Sequence, residues 1–326
     1  MTKDELPIEM PSWPDILVSL EARSPEELIA IMPGTGTEKL VEDFPLLGAV
    51  TFTDHEIPTT GDPVKVRAYD AAGGGSGIGF VWVHGGGFVF GHLDQDEAHW
   101  VALALAARGI AVVSVDYRKC LHGVHYPAPL NDVLGAWRWT NERAVELGMT
   151  PGQIHLGGAS AGGCLAAGVT KRVRDDEGPM PASCVLAYAV VHADLPEASA
   201  ELREAMERAQ VDGMFEDGSL GHNYAGSEAA TRDPYAFASN GDVSGQPPVY
   251  ILNSEADRLR ASAESYGYQL EAAGVRVRME FEPETVHGHL NEPYSAGGQR
   301  SIHRIVRWLS DPTFDVDLSS GVHQTT

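Results

Sequence analysis

Apolar residues along the chain follow two alternating patterns. Short runs rich in Val, Ile and Phe, bounded by Gly, Pro or polar residues, are typical of buried strands. Between them lie longer stretches in which apolar residues recur every three or four positions, as they do in amphipathic helices. The pattern predicts six buried strands, at residues 78–84, 110–117, 153–158, 183–191, 247–257 and 275–282.

Helices are predicted around these strands, at residues 96–109, 130–148, 162–176, 258–274 and 299–309. Strands that are apolar throughout and alternate with helices predict an α/β fold, with a mainly parallel central sheet covered by helices on both faces. An antiparallel pair of strands is predicted ahead of this unit, within residues 49–70. Ligands bind such sheets at the carboxyl ends of the strands.

Two regions depart from the alternation. Residues 1–45 contain helix-like segments, one of which begins at Ser24 with Glu27 in position to complete a capping box. Residues 194–238 contain an acidic helical segment, 196–210, and no strand pattern. Because a long insertion in a compact fold is usually functional, the second region is expected to be a lid or cap.

These patterns divide the chain into a core and two additions. The expected units are N-terminal cap helices at 1–45, a core at 46–193 and 239–312, a cap insertion at 194–238, and a flexible tail at 313–326.

Composition narrows the classes of partner and compartment. Of 326 residues, 43% are hydrophobic, and the formal charge of −23 disfavours nucleic acid or an anionic membrane as a partner. No run approaches the roughly 20 apolar residues that span a bilayer, and the acidic, proline-broken N-terminus does not resemble a secretory signal. Three cysteines, Cys120, Cys164 and Cys184, are too few for a disulfide framework. The expected location is the cytoplasm.

The sharpest motif is a G-x-S-x-G at Gly158 to Gly162, which lies between a predicted strand and a predicted helix. In that position the motif forms a tight turn that lifts the serine hydroxyl above the sheet. Ser160 is therefore a candidate nucleophile. A serine needs a base within hydrogen-bond reach and an acid that orients the base.

Candidates for both groups follow the next two strand ends. Asp257 lies at the end of one predicted strand and His287 just beyond the next. With Ser160 they occur in the order Ser, acid, His that is usual for proteins with this turn. Glu255 remains an alternative acid, with Asp257 as a helix cap, and His289 an alternative base. A metal site at the His287-x-His289 pair lacks the spacing of secure zinc motifs, and no metal is expected.

Three glycines, Gly85 to Gly87, end the first parallel strand. A dinucleotide fingerprint would need glycine at Phe90, and no G-K-S or G-K-T of a phosphate loop occurs. The remaining interpretation is a loop of exposed N–H groups that stabilise an oxyanion. Within it, Gly85 is expected to supply only the turn, and His84 to brace the loop.

The segments "HGGGF", "GASAGG", "SEADRLRASAESYGYQLEAAG" and "VHGH" occur in that order. Together they resemble the hormone-sensitive-lipase-like branch of the α/β-hydrolase fold, the bacterial carboxylesterases. The resemblance implies a helical cap over a serine esterase that hydrolyses small to medium acyl esters without metal or cofactor, and a homodimer formed through the last strand and helix. The implied residues are the triad Ser160, Asp257 and His287 and the oxyanion donors Gly86, Gly87 and Ala161.

The chain departs from the family pattern at three places. Ala159 stands where the family usually has Asp, and His289 where it usually has Phe. The segment 117–128, "YRKCLHGVHYPA", is one residue longer than its counterpart and differs in polarity. Substrate preference therefore stays open. An amidase or a dedicated natural-product or xenobiotic hydrolase, and a non-catalytic small-molecule receptor of the same fold, are the alternative functions.

Overall fold

A computed structural model describes residues 12–59, 61–211 and 218–312. Within them the chain forms one eight-stranded sheet. Its strands are β1 (Phe52–Ile57), β2 (Val64–Tyr69), β3 (Gly79–Val83), β4 (Ala111–Asp116), β5 (Ile154–Ala159), β6 (Cys184–Ala187), β7 (Val249–Ala256) and β8 (Val277–Val286).

The sheet has the strand order β1-β2-β4-β3-β5-β6-β7-β8. From β4 to β8 every neighbouring pair is parallel, whereas β2 is antiparallel to both β1 and β4. The register pairs Val83 of β3 with Gly158 of β5, so these two strands end side by side. The mainly parallel sheet and the leading antiparallel pair are confirmed.

Ten α-helices occur in the same described residues. They are α1 (Trp13–Glu21), α2 (Pro25–Ile31), α3 (Thr37–Asp43), α4 (Asp96–Ala106), α5 (Ala128–Glu142), α6 (Ala161–Asp175), α7 (Ala200–Ala209), α8 (Ser219–Ala225), α9 (Arg260–Ala272) and α10 (Ala296–Ser310). The capping box at the start of α2 is confirmed, because Ser24 and Glu27 each bond the other's backbone N–H.

The core consists of two apolar layers, one on each face of the sheet. Trp137 of α5 and Tyr266 of α9 are buried in one layer, which also takes up most of α6. Trp100 of α4 and Trp308 of α10 are buried in the other layer. Helices therefore cover both faces, as the unbroken apolar strands require.

Polar side chains around the start of α4 hold part of the N-terminal region on the core. Asp96 accepts hydrogen bonds from the Thr35 N–H (3.1 and 3.2 Å) and hydroxyl (2.8 Å), and His92 Nε2 bonds the Met32 carbonyl at 2.9 Å. His99 is buried, with its Nε2 2.8 Å from the Thr37 hydroxyl. These contacts join helices α2 and α3 to the sheet domain.

Two predicted strand ends were wrong by four residues, and both lie at the carboxyl edge of the sheet. β6 ends at Ala187 rather than at residue 191, and Tyr188 takes a positive φ of 37°. β8 continues to Val286, four residues beyond the predicted end. Local residue pattern does not report where neighbouring strands stop pairing, so such bounds depend on tertiary contacts.

Some of the predicted segments fall outside the described residues. These are the first eleven residues of the N-terminal region, positions 212–217 of the insertion and the tail at 313–326. The three cysteines are buried as free thiols. No helix in the described ranges has both the length and the apolar character needed to cross a membrane.

Gly168 lies in α6, and the close packing around it predicts that a larger residue there would destabilise the fold. A Cβ there would lie 2.2 Å from the Tyr235 carbonyl oxygen. In an isolated helix, alanine is more stable than glycine by about 1 kcal/mol. Because the added Cβ would clash here, we instead expect Gly168→Ala to lower the free energy of unfolding by about 1–3 kcal/mol. Urea denaturation followed by circular dichroism measures the change.

Gly135, inside α5, is the matched control. Its added Cβ would lie 3.1 Å from the Thr59 side chain and 3.8 Å, an ordinary van der Waals distance, from the Pro58 carbonyl oxygen. We expect Gly135→Ala to be neutral or stabilising. Equal stabilities of the two variants would contradict the packing explanation.

Candidate active site

Ser160 lies in a strained turn between β5 and α6, with φ of 52° and ψ of −120°. A non-glycine residue in such a conformation costs about 1–3 kcal/mol, which the surrounding packing must offset. The turn is held by the Ser160 N–H, which donates to the Ala187 carbonyl at 2.9 Å. A Cβ on Gly162 would lie 2.1 Å from the Val83 carbonyl oxygen, so the turn fits against β3 only with glycine there.

His287 and Asp257 lie beside Ser160. The His287 Nε2 atom is 3.0 Å from the Ser160 Oγ, and its Nδ1 donates to Asp257 Oδ2 at 2.7 Å. Asp257 is buried, and its other carboxylate oxygen accepts from the Leu259 N–H at 2.9 Å. Each of the three residues directly follows a strand, β5, β7 or β8, so the parallel sheet brings them to one edge.

The alternative acid and base point elsewhere. Glu255 Oε2 accepts from the Glu284 N–H at 2.8 Å, and Glu255 also lies 3.5 Å from Arg208. His289 is buried, with its Nδ1 2.9 Å from the Ser254 hydroxyl and its Nε2 2.8 Å from the Ser301 hydroxyl. Burial lowers the pKa of His289 to about 3, which keeps it neutral.

The pKa of His287 is shifted in the opposite direction from that of His289. Burial by itself would lower its pKa, but the Asp257 charge and hydrogen bond, together with the Glu97 charge, outweigh burial and raise the pKa above its ordinary value. A carboxylate at hydrogen-bond distance stabilises the imidazolium form. The site therefore supports an imidazole that accepts a proton from Ser160 and is stabilised once charged.

The loop after β3 presents free amides next to Ser160. Gly86 and Gly87 have positive φ values of 114° and 59°. Within the part of the chain that the structure describes, the N–H groups of Gly86, Gly87 and Ala161 have no hydrogen-bond acceptor. Gly87, Ser160 and Ala161 line one cavity. Free amides beside a nucleophile are the arrangement that stabilises an oxyanion.

Glu97 is a site residue that the sequence analysis missed. It is buried in the first turn of α4, and its carboxylate accepts from the Gly85 N–H, the Tyr188 hydroxyl (2.6 Å) and the Asn291 amide (3.1 Å). Burial raises the pKa of Glu97, and these hydrogen bonds oppose the rise. No local signal identifies such a residue, because acidic side chains are ordinary in a first helical turn.

Gly85 makes more contacts than its expected role in the turn requires. Rather than only forming the turn, it is packed so closely that a Cβ would lie 2.7 Å from Glu97 Oε2 and 3.0 Å from the Ser160 Cβ. Its carbonyl accepts from His84 Nδ1 at 2.7 Å and from the Tyr117 hydroxyl at 3.1 Å. The His84 ring also stacks on Tyr117, with centroids 4.7 Å apart. His84 thus contacts the loop that it was expected to brace.

The remaining expectations concern Ala159 and metal ions. Ala159 is fully buried in the apolar layer that contains α4, in keeping with its lack of a polar partner below the turn. Among the residues that the structure describes, no three His, Cys, Asp or Glu side chains form a group that could hold a metal ion.

Comparison with known proteins gives a matching family and two similar relatives from one organism. A family described as alpha/beta hydrolase fold matches residues 80–291. Carboxylesterase NlhH of Mycobacterium tuberculosis is 39% identical over 215 residues, which are 65% of this chain and 66% of that protein, slightly less than two thirds of its length. Carboxylic ester hydrolase LipN of the same organism is 32% identical over 267 residues, covering 76% of this chain and 67% of LipN.

Solved structures extend the likeness over most of the fold. A hyperthermophilic esterase from Pyrobaculum calidifontis superposes with a TM-score of 0.73 and 27% identity, covering 92% of this chain and 98% of that one. The carboxylesterase EstE1 from a metagenomic library has the same TM-score and 28% identity, covering 88% of this chain and 97% of its own.

The contact between Asp257 and His287 predicts the titration of the imidazole. Because the Asp257 carboxylate favours the protonated ring, we expect Asp257→Asn to lower the pKa of His287. His287 in this variant would then lose its ring proton at a lower pH than His287 in the parent protein. Proton NMR of the histidine ring signals against pH measures this, with His287→Asn identifying the resonance. An unchanged or higher pKa in Asp257→Asn would contradict the electrostatic explanation.

Proposed function

The chain belongs to the α/β-hydrolase family that matches residues 80–291, and from this premise we propose that it is a serine carboxylesterase acting on small to medium acyl esters. The observation that carries the proposal is the hydrogen-bonded series Ser160, His287 and Asp257, in which Ser160 shares a cavity with the free amides of Gly87 and Ala161. The named activities of NlhH, LipN and the esterase structures support the same reaction.

In the proposed first step the Ser160 hydroxyl attacks the ester carbonyl carbon. His287 Nε2 takes the hydroxyl proton as the Oγ–carbon bond forms, and Asp257 stabilises the resulting imidazolium. The same imidazolium then gives its proton to the leaving alkoxide, which departs as the alcohol. The raised pKa of His287 suits this double use, because the ring must both accept and return a proton near neutral pH.

The carbonyl oxygen becomes an oxyanion in both tetrahedral intermediates. We propose that the amides of Gly86, Gly87 and Ala161 donate to it. One such donor is worth about 3 kcal/mol of transition-state stabilisation in comparable sites. Glu97 would support this function indirectly, since its bond to the Gly85 N–H holds the start of the loop.

Hydrolysis of the acyl-enzyme completes the proposed cycle. Water loses a proton to His287 and attacks the acyl carbon, and Ser160 leaves with the proton that His287 returns. The reaction uses only groups of the chain and water. We propose that segments 1–45 and 194–238 form the cap over this site, a proposal supported by Trp13 of α1 and Leu220 of α8 in the cavity wall.

We expect the purified protein to release p-nitrophenol from p-nitrophenyl acetate or butyrate. Ser160→Ala should lower kcat by about 10⁶-fold, as loss of the nucleophile does in other serine hydrolases. Absorbance at the p-nitrophenol band measures the rate, and circular dichroism checks that the variant is folded. Ser244→Ala, which alters an exposed loop serine, is the control and should keep the parent rate.

Other results would separate the alternatives. A parent protein without ester hydrolysis that binds a small molecule tightly would favour the receptor function. Faster hydrolysis of matched anilides than of esters would favour an amidase. Full activity in Ser160→Ala would contradict the proposed nucleophile.

We also propose that the chain forms a homodimer through its last strand and helix. β8 is ten residues long and ends the sheet, and long edge strands are usually covered by another element or chain. Light scattering coupled to size-exclusion chromatography should give the mass of two chains. The mass of one chain at every concentration tested would contradict the dimer.

A further inference from the structure

The cavity at Ser160 is apolar and opens to solvent. Its space amounts to about 430 Å³, part of which is open solvent. Besides Ser160, its wall includes Val190, Leu195 and Leu220, with Trp13 of α1 on the cap side. Of the described residues that line it, none carries a charged side chain. The cavity therefore suits an uncharged apolar group rather than a charged one.

Leu220 packs against Gly87, one of the proposed oxyanion donors. A Cβ on Gly87 would lie 2.9 Å from Leu220 Cδ1 and 3.5 Å from its Cδ2, so both methyl groups face the Gly87 backbone. Leu220 also lines the cavity that contains Ser160, so a group bonded to Ser160 that extends into this cavity would meet it. Leu220 is buried, with 9% of its surface exposed, so solvent offers it little room to move aside.

Helix α8, which carries Leu220, is held by the segment that departs most from the family pattern. We call residues 119–126 the clamp loop. The Asn223 side-chain amide donates to the Cys120 carbonyl at 2.9 Å, and His125 Nδ1 donates to the Asn223 carbonyl at 2.7 Å. A Cβ on Gly226 would lie 2.6 Å from the His125 side chain, so the helix end fits closely against the clamp loop.

Two further contacts join the same parts. The Tyr126 N–H donates to the Tyr224 carbonyl at 2.7 Å. The Tyr224 ring stacks on Phe88, with centroids 4.2 Å apart and planes 5° apart, and the Cys120 N–H donates to the Phe88 carbonyl at 2.8 Å. Phe88 directly follows Gly87 in the chain. The clamp loop therefore contacts both α8 and the proposed oxyanion loop, and these contacts fix the distance between the two.

The clamp loop also reaches α1. The Glu21 carboxylate at the end of α1 accepts from the His122 N–H at 2.8 and 2.9 Å and lies 3.0 Å from His122 Nδ1. Trp13 at the other end of α1 lines the cavity. Two walls of the cavity, α1 and α8, therefore depend on contacts with one loop.

We propose that Leu220 limits the length of the acyl group and that the clamp loop, through Asn223, holds Leu220 in that position. The preferred substrates are then esters of short, uncharged acids such as acetic and butyric acid. This inference rests on the proposed ester hydrolysis and adds the substrate class. Leu220 acts by contact with the acyl chain, whereas Asn223 is a positioning residue that acts through α8.

The test compares p-nitrophenyl acetate, butyrate, hexanoate and octanoate as substrates of the parent and of Leu220→Ala. The parent should have its highest kcat/KM at acetate or butyrate. In Leu220→Ala the ratio of kcat/KM for hexanoate to that for acetate should rise by about tenfold or more, since one methylene in an apolar pocket changes selectivity by about 10–200-fold.

Leu202→Ala is the matched control. Leu202 is fully buried in α7 of the same insertion, in a separate apolar cluster that also includes Ala256 and Ala261 of the core, so this variant also loses a buried leucine. The hexanoate-to-acetate ratio should stay at the parent value. If Leu220→Ala does not fold, Leu220→Val should raise the ratio to a smaller extent.

Asn223→Ala tests the positioning step. It should raise the same ratio, mainly by lowering KM for hexanoate. Asn141→Ala, which removes a comparable amide-to-carbonyl bond of 2.8 Å inside α5, should leave the ratio unchanged. Unchanged ratios in Asn223→Ala would overturn the part assigned to the clamp loop.

The outcomes separate this inference from the proposed function. A parent that hydrolyses no ester would overturn both. A parent that hydrolyses acetate, with the same chain-length preference in Leu220→Ala or Leu220→Val, would overturn the Leu220 assignment and leave ester hydrolysis standing.

Discussion

The close packing of the Ser160 turn against the end of β3 is the constraint on which the site depends. Gly158 and Gly162 leave no space for a Cβ between the turn and the Val83 carbonyl. That contact sets the spacing between the candidate nucleophile and the loop that follows β3. The strain at Ser160 is tolerated because hydrogen bonds and two apolar layers hold the strands on either side of the turn.

A single buried carboxylate links the parts around this turn. Glu97 bonds the Gly85 N–H, the Tyr188 hydroxyl and the Asn291 amide, which belong to three separate segments of the chain. A buried carboxylate with several donors is a stable arrangement only if those donors stay in place. Glu97 therefore couples the loop with the free amides to the region that follows His287, and its charge also favours the protonated ring.

The walls of the cavity are built differently from its floor. Ser160 and Ala161 belong to the sheet domain, whereas Trp13 and Leu220 come from helices outside the alternating strands and helices. Those helices are held by hydrogen bonds to the clamp loop and by packing of Leu20, Leu220 and Tyr224 in the apolar layer on one face of the sheet. If the proposed function holds, changes in the clamp loop and α8 would alter the size of the acceptable acyl group while the sheet domain keeps the proposed chemistry.

By itself the sequence determined the fold class, the order of strands and helices, the family and the candidates Ser160, Asp257 and His287, because alternating apolar runs and short motifs are local signals. The resemblance to hormone-sensitive-lipase-like carboxylesterases is confirmed by the family and relatives that match, while the roles of the site residues stay predictions. Only the tertiary structure decided that His287 contacts Ser160 and Asp257 contacts His287, whereas His289 and Glu255 contact other groups, since each alternative lies within two residues of the residue chosen. The structure alone also assigned Glu97 and Leu220 to the site, because each is brought there by packing between segments far apart in the chain.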